Sequence, residues 1–478
     1  MRKPALGALC AVLAVLSAAS VYAKKTGAAN VHPAKQWTTE IPKDKRIEQA
    51  LNRLTFGPRP GDARLAARRR EPVQRLGLLA SDARRLLFTR GIRGLADGAV
   101  SIALATYLTG LGFSAVEVGA IVTGTLLGSA AVTLGVGLLG HRLSRRRILL
   151  GATALMLLTG LGFAGLTTFW PLMMVAVAGT LNPSSGDVSV FLPTEQAALA
   201  HTVDGPARTM AFARYNLVGS LAGAVGALAS GVPAIATRRW GVPLPWAERS
   251  VFVFYALCAI AAAAIYARLS PALEIHPARR TGRPLAESRA VVLRLSALFS
   301  LDSFGGGFVV QSLLVLWLYR RFHLDQRATA GVFFVAGTLS AFSQVLSPLV
   351  ARRIGLIRTM VYTHLPSNLF LILAALMPTA PLSIACLLAR TAVSQMDVPA
   401  RQAFVMAVVR PEERAAAASV TNVPRSLAAG LAPFLAGVLL ERTSFGWPLV
   451  IGGALKAIYD LALLVQFRAV STREAGVR

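Results

Sequence analysis

Apolar residues fall along this chain in runs of about twenty, separated by short breaks in which arginine recurs. A hydrocarbon core about 30 Å thick takes roughly 20 apolar residues of α-helix, so each run can cross a bilayer. The runs place spans near 86–112, 115–140, 148–167, 169–192, 209–233 and 250–268. After a polar stretch, six more follow near 293–317, 329–350, 359–377, 380–400, 415–440 and 446–467. The expected fold is an all-α polytopic membrane protein of twelve transmembrane helices in two six-helix halves. Its expected domains are an amino-terminal half at 85–268, a linker at 269–290, a carboxy-terminal half at 291–467 and a tail at 468–478.

An internal repeat supports the two halves. Residues 206 positions apart match without a gap, pairing Pro193 with Pro399, Gln196 with Gln402, Arg208 with Arg414, Asn216 with Asn422 and Ser220 with Ser426. These matches set the end of span 4 and span 5 against the end of span 10 and span 11, as two parallel six-helix units around a central cavity would.

Composition removes other classes. With 54% hydrophobic and 15% charged residues, the chain is too apolar for water alone. The formal charge of +28 is not a nucleic-acid footprint, because the basic residues sit in the breaks between spans instead of on one soluble face. With the amino end of the core inside, the cytoplasmic breaks hold sixteen arginines against seven on the other side. Both ends of the core are then expected to be cytoplasmic, in a bacterial inner (plasma) membrane. Cys10, Cys258 and Cys386 lack metal or redox spacing, the six histidines are scattered, and no Walker loop occurs. No metal, cofactor or enzymatic constellation is expected.

The amino terminus stands apart. Residues 1–23 have a basic start, an apolar core and a small-residue end at Val21-Tyr22-Ala23, the pattern of a secretory signal. Residues 24–84 are polar and are expected to be irregular. Lysines stand at 3, 24, 25, 35, 43 and 45, and then only Lys456 follows. The stretch Ala50-Leu51-Asn52-Arg53-Leu54-Thr55-Phe56-Gly57-Pro58 resembles the mature start of a group of secreted bacterial proteins. This composition break suggests that the first 60 or so residues are an appended or misjoined segment. A translocated 24–84 would also reverse span 1, against the arginine count.

After span 2 the chain reads Gly137-Leu138-Leu139-Gly140-His141-Arg142-Leu143-Ser144-Arg145-Arg146-Arg147. This resembles the loop signature of the major facilitator superfamily, Gly-x-Leu-x-Asp-Arg-x-Gly-Arg-Arg. Gly137, Leu139, Arg142, Arg145 and Arg146 match it, while His141 and Ser144 depart from it. The resemblance covers about 85–467 and implies a gating role for this loop. It also implies that spans 1, 4, 7 and 10 line a central cavity. Gly219, Gly223 and Gly226 in span 5 resemble the glycine-rich signature of the family's exporters, with Ala224 in place of its proline. Small residues at that spacing also serve simple helix packing.

Ionisable groups inside spans are the candidate substrate or proton groups, because each costs roughly 2.5–3.5 kcal/mol at a helix centre. They are Arg90, Arg93 and Asp97 in span 1, Asp187 in span 4, Asp302 in span 7, and Arg390 and Asp397 in span 10. Asp187 and Asp302 have no helical partner within one turn. Arg93 with Asp97, and Lys456 with Asp460, stand four apart and could pair. His364 is read as a core histidine. The functional expectation is a monomeric secondary transporter, coupled to protons or to another ion with protons favoured, moving a small molecule by alternating access, with efflux of a drug or metabolite favoured. Uptake of an organic anion or nutrient is the alternative. A transporter-derived sensor or scaffold is the alternative of another class, and 24–84 is short for an output domain.

Overall fold

The computed structural model describes residues 71–139, 144–183, 189–202, 205–273, 287–409 and 413–467. The signal-like 1–23, the tail 468–478 and most of the linker fall outside them. The helical bundle belongs to the compact unit Gly77–Arg478.

The first helix, α1, runs over Glu71–Gly110. Residues 71–84 are therefore helical, where irregular chain was expected. Leu76, Leu79, Ala80, Ala83 and Leu87 recur at helical spacing despite the surrounding charge. Within this turn Asp82 is fully buried, accepting from Arg85 at 2.8 Å and from the Ser270 hydroxyl at 2.5 Å. That contact ties the start of α1 to the chain beyond the sixth apolar run.

The helices that follow are α2 (Ala115–Leu139), α3 (Arg145–Gly165), α4 (Phe169–Ala178), α5 (Phe191–Thr202), α6 (Gly205–Ala229), α7 (Val232–Trp240) and α8 (Leu244–Tyr266). The second half holds α9 (Arg289–Gly307), α10 (Gln311–Phe322), α11 (Gln326–Ile354), α12 (Leu356–Leu376) and α13 (Ala380–Ser394). It closes with α14 (Asp397–Val408), α15 (Arg414–Arg442) and α16 (Trp447–Phe467).

Four runs expected as unbroken helices are interrupted, and each break has a local cause. Gly179 and Asn182-Pro183 follow α4, and Gly231 precedes Pro233 at the start of α7. Gly305-Gly306-Gly307 ends α9, and Pro399 sits in the first turn of α14, where its missing N–H costs nothing. Nine helical stretches among the described residues are long and apolar enough to cross a membrane. Those that fall short are α1, with its buried charges, and the broken pairs α4/α5 and α13/α14. Spans 1, 4 and 10, three of the four runs taken above as cavity-lining, are thus the ones with the weakest membrane signal, while span 7 is among the nine.

The packing repeats between the halves. α3 lies on α8 as α12 lies on α16, and α2 meets α15 as α11 meets α6. The latter two contacts join the halves. α1 crosses α6 at near-touching backbones: a Cβ on Gly98 would sit 2.0 Å from the Gly223 carbonyl oxygen, and one on Gly226 would sit 2.0 Å from that of Leu95. The span 5 glycines therefore serve close approach to α1. In the other half, a Cβ on Gly307 would meet the Ala429 carbonyl at 2.3 Å, and α9 packs on α15 in the same way.

The halves join toward one face. There Gly119 packs on Gly437, Ala224 on Gly337 and Gly231 on Ala330. The Ala115 N–H donates to Glu441 at 2.7 Å. One hydrophobic cluster runs through the first half and into the second at this face, including Val310, Trp317, Ala375 and Leu449. A separate cluster, including Leu295, Met360, Phe404, Tyr459 and Phe467, belongs to the second half alone. These contacts between the halves gather toward the face where α2 and α16 begin.

Replacing Gly98 with leucine forces α1 and α6 apart. Overpacking of this kind costs about 1–3 kcal/mol or more, so Gly98→Leu should lower the melting temperature in detergent sharply, whereas Gly135→Leu, where nothing lies within 4 Å of a built Cβ, should leave it unchanged.

Candidate substrate and proton site

A carboxylate or guanidinium in hydrocarbon is tolerated where it is paired or faces a wet cavity. The described residues pair such groups in two clusters, one per half.

In the second half, Asp302 of α9 is 5% exposed and is held from two helices. Lys456 Nζ of α16 lies 2.6 Å from one oxygen, and Arg401 Nη1 of α14 lies 3.1 Å from the other. Arg401 also lies 3.6 Å from Asp397. His364 of α12 joins the cluster to a further acid. Its Nε2 is 3.8 Å from Asp302, while its Nδ1 is 3.0 Å from Asp460 of α16. Asn368 donates to Asp460 at 2.8 Å. A neutral imidazole donates from one nitrogen, and an imidazolium donates from both. The 3.0 Å contact with Asp460 is within hydrogen-bond reach, whereas the 3.8 Å approach to Asp302 is not.

In the first half, Glu195 of α5 is fully buried and collects four donors. Arg93 and Tyr215 give to one oxygen. Thr89 gives to the other at 2.9 Å and Tyr266 at 2.5 Å. Arg93 lies over the Phe191 ring at 4.3 Å, adding a cation–π contact. This carboxylate has its acceptor positions taken by α1, α6 and α8.

The two clusters are the same site with the charges exchanged. Glu195 and Arg401 are 206 positions apart, the register of the repeat. Arg93 and Asp302 are 209 apart, as are Gly98 and Gly307, which make corresponding contacts with α6 and α15. An arginine on the first helix with a glutamate beyond the fourth run thus corresponds to an aspartate on the seventh with an arginine beyond the tenth.

The expected site residues divide accordingly. Arg93, Asp302 and Asp397 enter these clusters. Asp302, expected to have no partner within one turn of its own helix, takes two cations from other helices. Arg93 pairs with Glu195, not with Asp97. Lys456 and Asp460 do not pair with one another either, since each reaches across to another helix. Asp97 is 7% exposed, within electrostatic range of Arg93 and Arg90 but with no hydrogen bond or ion pair among the described residues. Arg90 rests over the Tyr215 ring at 5.2 Å and against Gly219. Arg390 in α13 lies within electrostatic range of Asp302, and its buried Nε has no partner. Neither Arg90 nor Arg390 has a carboxylate partner among the described residues.

Asp187 and Arg142 lie outside the described residues. Gly137 and Leu139 fall in the last turn of α2. Arg145 starts α3 and donates to the Leu273 carbonyl at 3.3 Å, and Arg146 follows it on the exposed side. Sequence reasoning missed Glu195 and placed Arg401 in a loop. The 206-residue register was the signal that links them. It also set aside His364, whose partners are remote in sequence.

The sequence pattern of the Major Facilitator Superfamily matches residues 86–423. The chain belongs to the major facilitator superfamily. An uncharacterised membrane protein of Saccharomyces cerevisiae is 28% identical to it over 363 residues, covering 69% of this chain and 81% of its own length. The multidrug efflux protein YfmO of Bacillus subtilis is 28% identical over 298 residues, covering 60% of this chain and 69% of its own. The crystal structure of the nucleoside transporter NupG covers 81% of this chain and 99% of its own, at 13% identity and a TM-score of 0.59, and shares the fold. As a member of the superfamily, the chain is a multi-pass membrane transporter of small molecules and not an enzyme.

Removing Glu195 would strand a buried guanidinium, a loss that costs about 3–5 kcal/mol. Glu195→Ala should therefore melt far below the wild type in detergent. The Arg93→Ala/Glu195→Ala pair should lose less than the sum of the single variants, because each member costs most when the other remains.

Proposed function

We propose that this superfamily member is a proton-driven secondary transporter that exports a small organic molecule, with Asp302 as its principal proton site. The observation that carries the reading is the placement of Asp302 between Lys456 and Arg401, with His364 spanning from it to Asp460.

Lys456 and Arg401 together balance the Asp302 carboxylate while the cluster stays dry. A proton on Asp302 cancels its attraction to Lys456 and Arg401. The cations are then left unpaired in a low-dielectric site, where opposite charges attract far more strongly than in water. Relief comes from a change in the contacts between α9, α14 and α16. Proton loading is thereby coupled to rearrangement of the second half. The groups facing Asp302 during this step are Lys456, Arg401, Asp397, Arg390, His364 and, through His364, Asp460. Asp97, buried and unpartnered in the first half, is the second proton candidate, and Asp187 the third.

On the orientation expected from the arginines, the face where the halves join is the non-cytoplasmic one, which leaves the cytoplasmic side of a bacterial cell as the one to open toward substrate. That arrangement admits an intracellular substrate for export. The similarity to a multidrug efflux protein favours the same direction. Arg90 and Arg390, without carboxylate partners, favour an anionic substrate group as the second reading, whichever way it moves.

Flux into proteoliposomes under an imposed pH step, against a panel of drugs, organic anions and sugars, tests this. Asp302→Asn should bring proton-driven flux to the level of protein-free vesicles. Flux equal to wild type in Asp302→Asn, Asp97→Asn and Asp187→Asn would remove proton coupling from all three acids.

A further inference from the structure

A second charged feature lies away from the buried clusters. A cleft of about 330 Å³ opens between α7 and the start of α11, lined by Ala234, Ile235, Arg238, Arg239 and Arg327. Its three guanidinium groups face one carboxylate. Asp325 accepts from Arg238 at 3.3 Å and also caps α11 through the Ala328 N–H at 2.8 Å. Arg239 and Arg327 are exposed and have no acidic partner among the described residues. α7 belongs to the first half and α11 to the second, so the uncompensated positive charge sits across the seam between them.

The surroundings indicate what neutralises it. Val232, Ile235 and Arg239 stand at i, i+3 and i+7 of α7, a single stripe on which the two apolar residues are 52% and 41% exposed. The stripe therefore runs from bare aliphatic surface to an unpaired guanidinium. Trp240 and Trp246, 70% and 65% exposed, flank the end of the helix. Exposed tryptophan beside arginine marks the level at which a membrane-crossing helix passes into the headgroup layer.

We propose that this cleft binds the phosphate of an anionic phospholipid, with an acyl chain lying along Val232 and Ile235 and the phosphate shared by Arg239 and Arg327. Guanidinium groups suit this role because their planar donors take phosphate oxygens in pairs. A bound phosphate cancels the repulsion between Arg327 on one half and Arg238 and Arg239 on the other. The lipid thus acts as a clamp, favouring the state in which this face is sealed. Free phosphate would satisfy the arginines and leave the apolar stripe bare, so the lipid is the occupant to which the geometry points.

The purified full-length protein in neutral detergent, titrated with phosphatidylglycerol, phosphatidylcholine or inorganic phosphate, tests the proposal. Retained lipid is read by native mass spectrometry and stability by thermal melting. The wild type should retain phosphatidylglycerol roughly tenfold or more over phosphatidylcholine and melt higher with it, with inorganic phosphate giving no shift. Arg239→Gln/Arg327→Gln removes exposed, unpaired groups and should keep the unliganded melting temperature while losing the lipid preference. Equal retention by that variant would overturn the assignment. A wild-type shift reproduced by inorganic phosphate alone would overturn the lipid as occupant.

Discussion

Charge inside hydrocarbon is the constraint from which the architecture of this transporter follows. Glu195 and Asp302 are tolerable because other helices bring cations and hydroxyls to them, and those helices are consequently fixed in relation to each other. The ion pairs do more than satisfy charge. They hold the first helix of each half against the segment beyond that half's fourth apolar run. The glycine contacts of α1 with α6 let the backbones approach closely enough for such short side-chain reach.

The halves use this arrangement differently. The Glu195 cluster is saturated, with four donors on one carboxylate, and behaves as a rivet. The Asp302 cluster is branched: two cations on one acid, a histidine between two acids, and an arginine shared by Asp302 and Asp397. A branched network has alternative pairings of similar worth, whereas a saturated one has none. The hydrophobic core agrees, being continuous between the halves at the face where they join, with a separate cluster in the second half alone. The contacts that join the halves thus lie toward one side, and the branched ion network lies within the second half.

Much of this was legible in the sequence, since helical runs, small-residue stripes and a repeat are all local or register-based signals. The run lengths gave the helices, and the matched Pro193 and Pro399 gave the correspondence of the halves. Helix interruptions at Gly179 and Gly305–Gly307 were hidden because glycine is common in membrane helices and breaks them only in some contexts. Partners were harder. Pairing Lys456 with Asp460 by spacing was reasonable on an isolated helix, but in a bundle each found a stronger partner 90 or more residues away. Glu195 escaped notice because it lies past the predicted end of its span, in what read as a loop.

The exchanged charges of the two clusters have a consequence for how such a protein can change over generations. If both halves began as copies of one unit, one of them reversed the sign of a buried pair. A single replacement in that pair leaves either two like charges or one naked charge in the dry interior, and both are heavily penalised. The reversal must therefore have passed through neutral side chains, or been carried by a neighbouring ion that stood in for the absent partner. Lys456 lies on the Asp302 carboxylate where the first-half glutamate has only hydroxyls beside its arginine. A spare cation of that kind could hold the aspartate while its principal partner was being replaced.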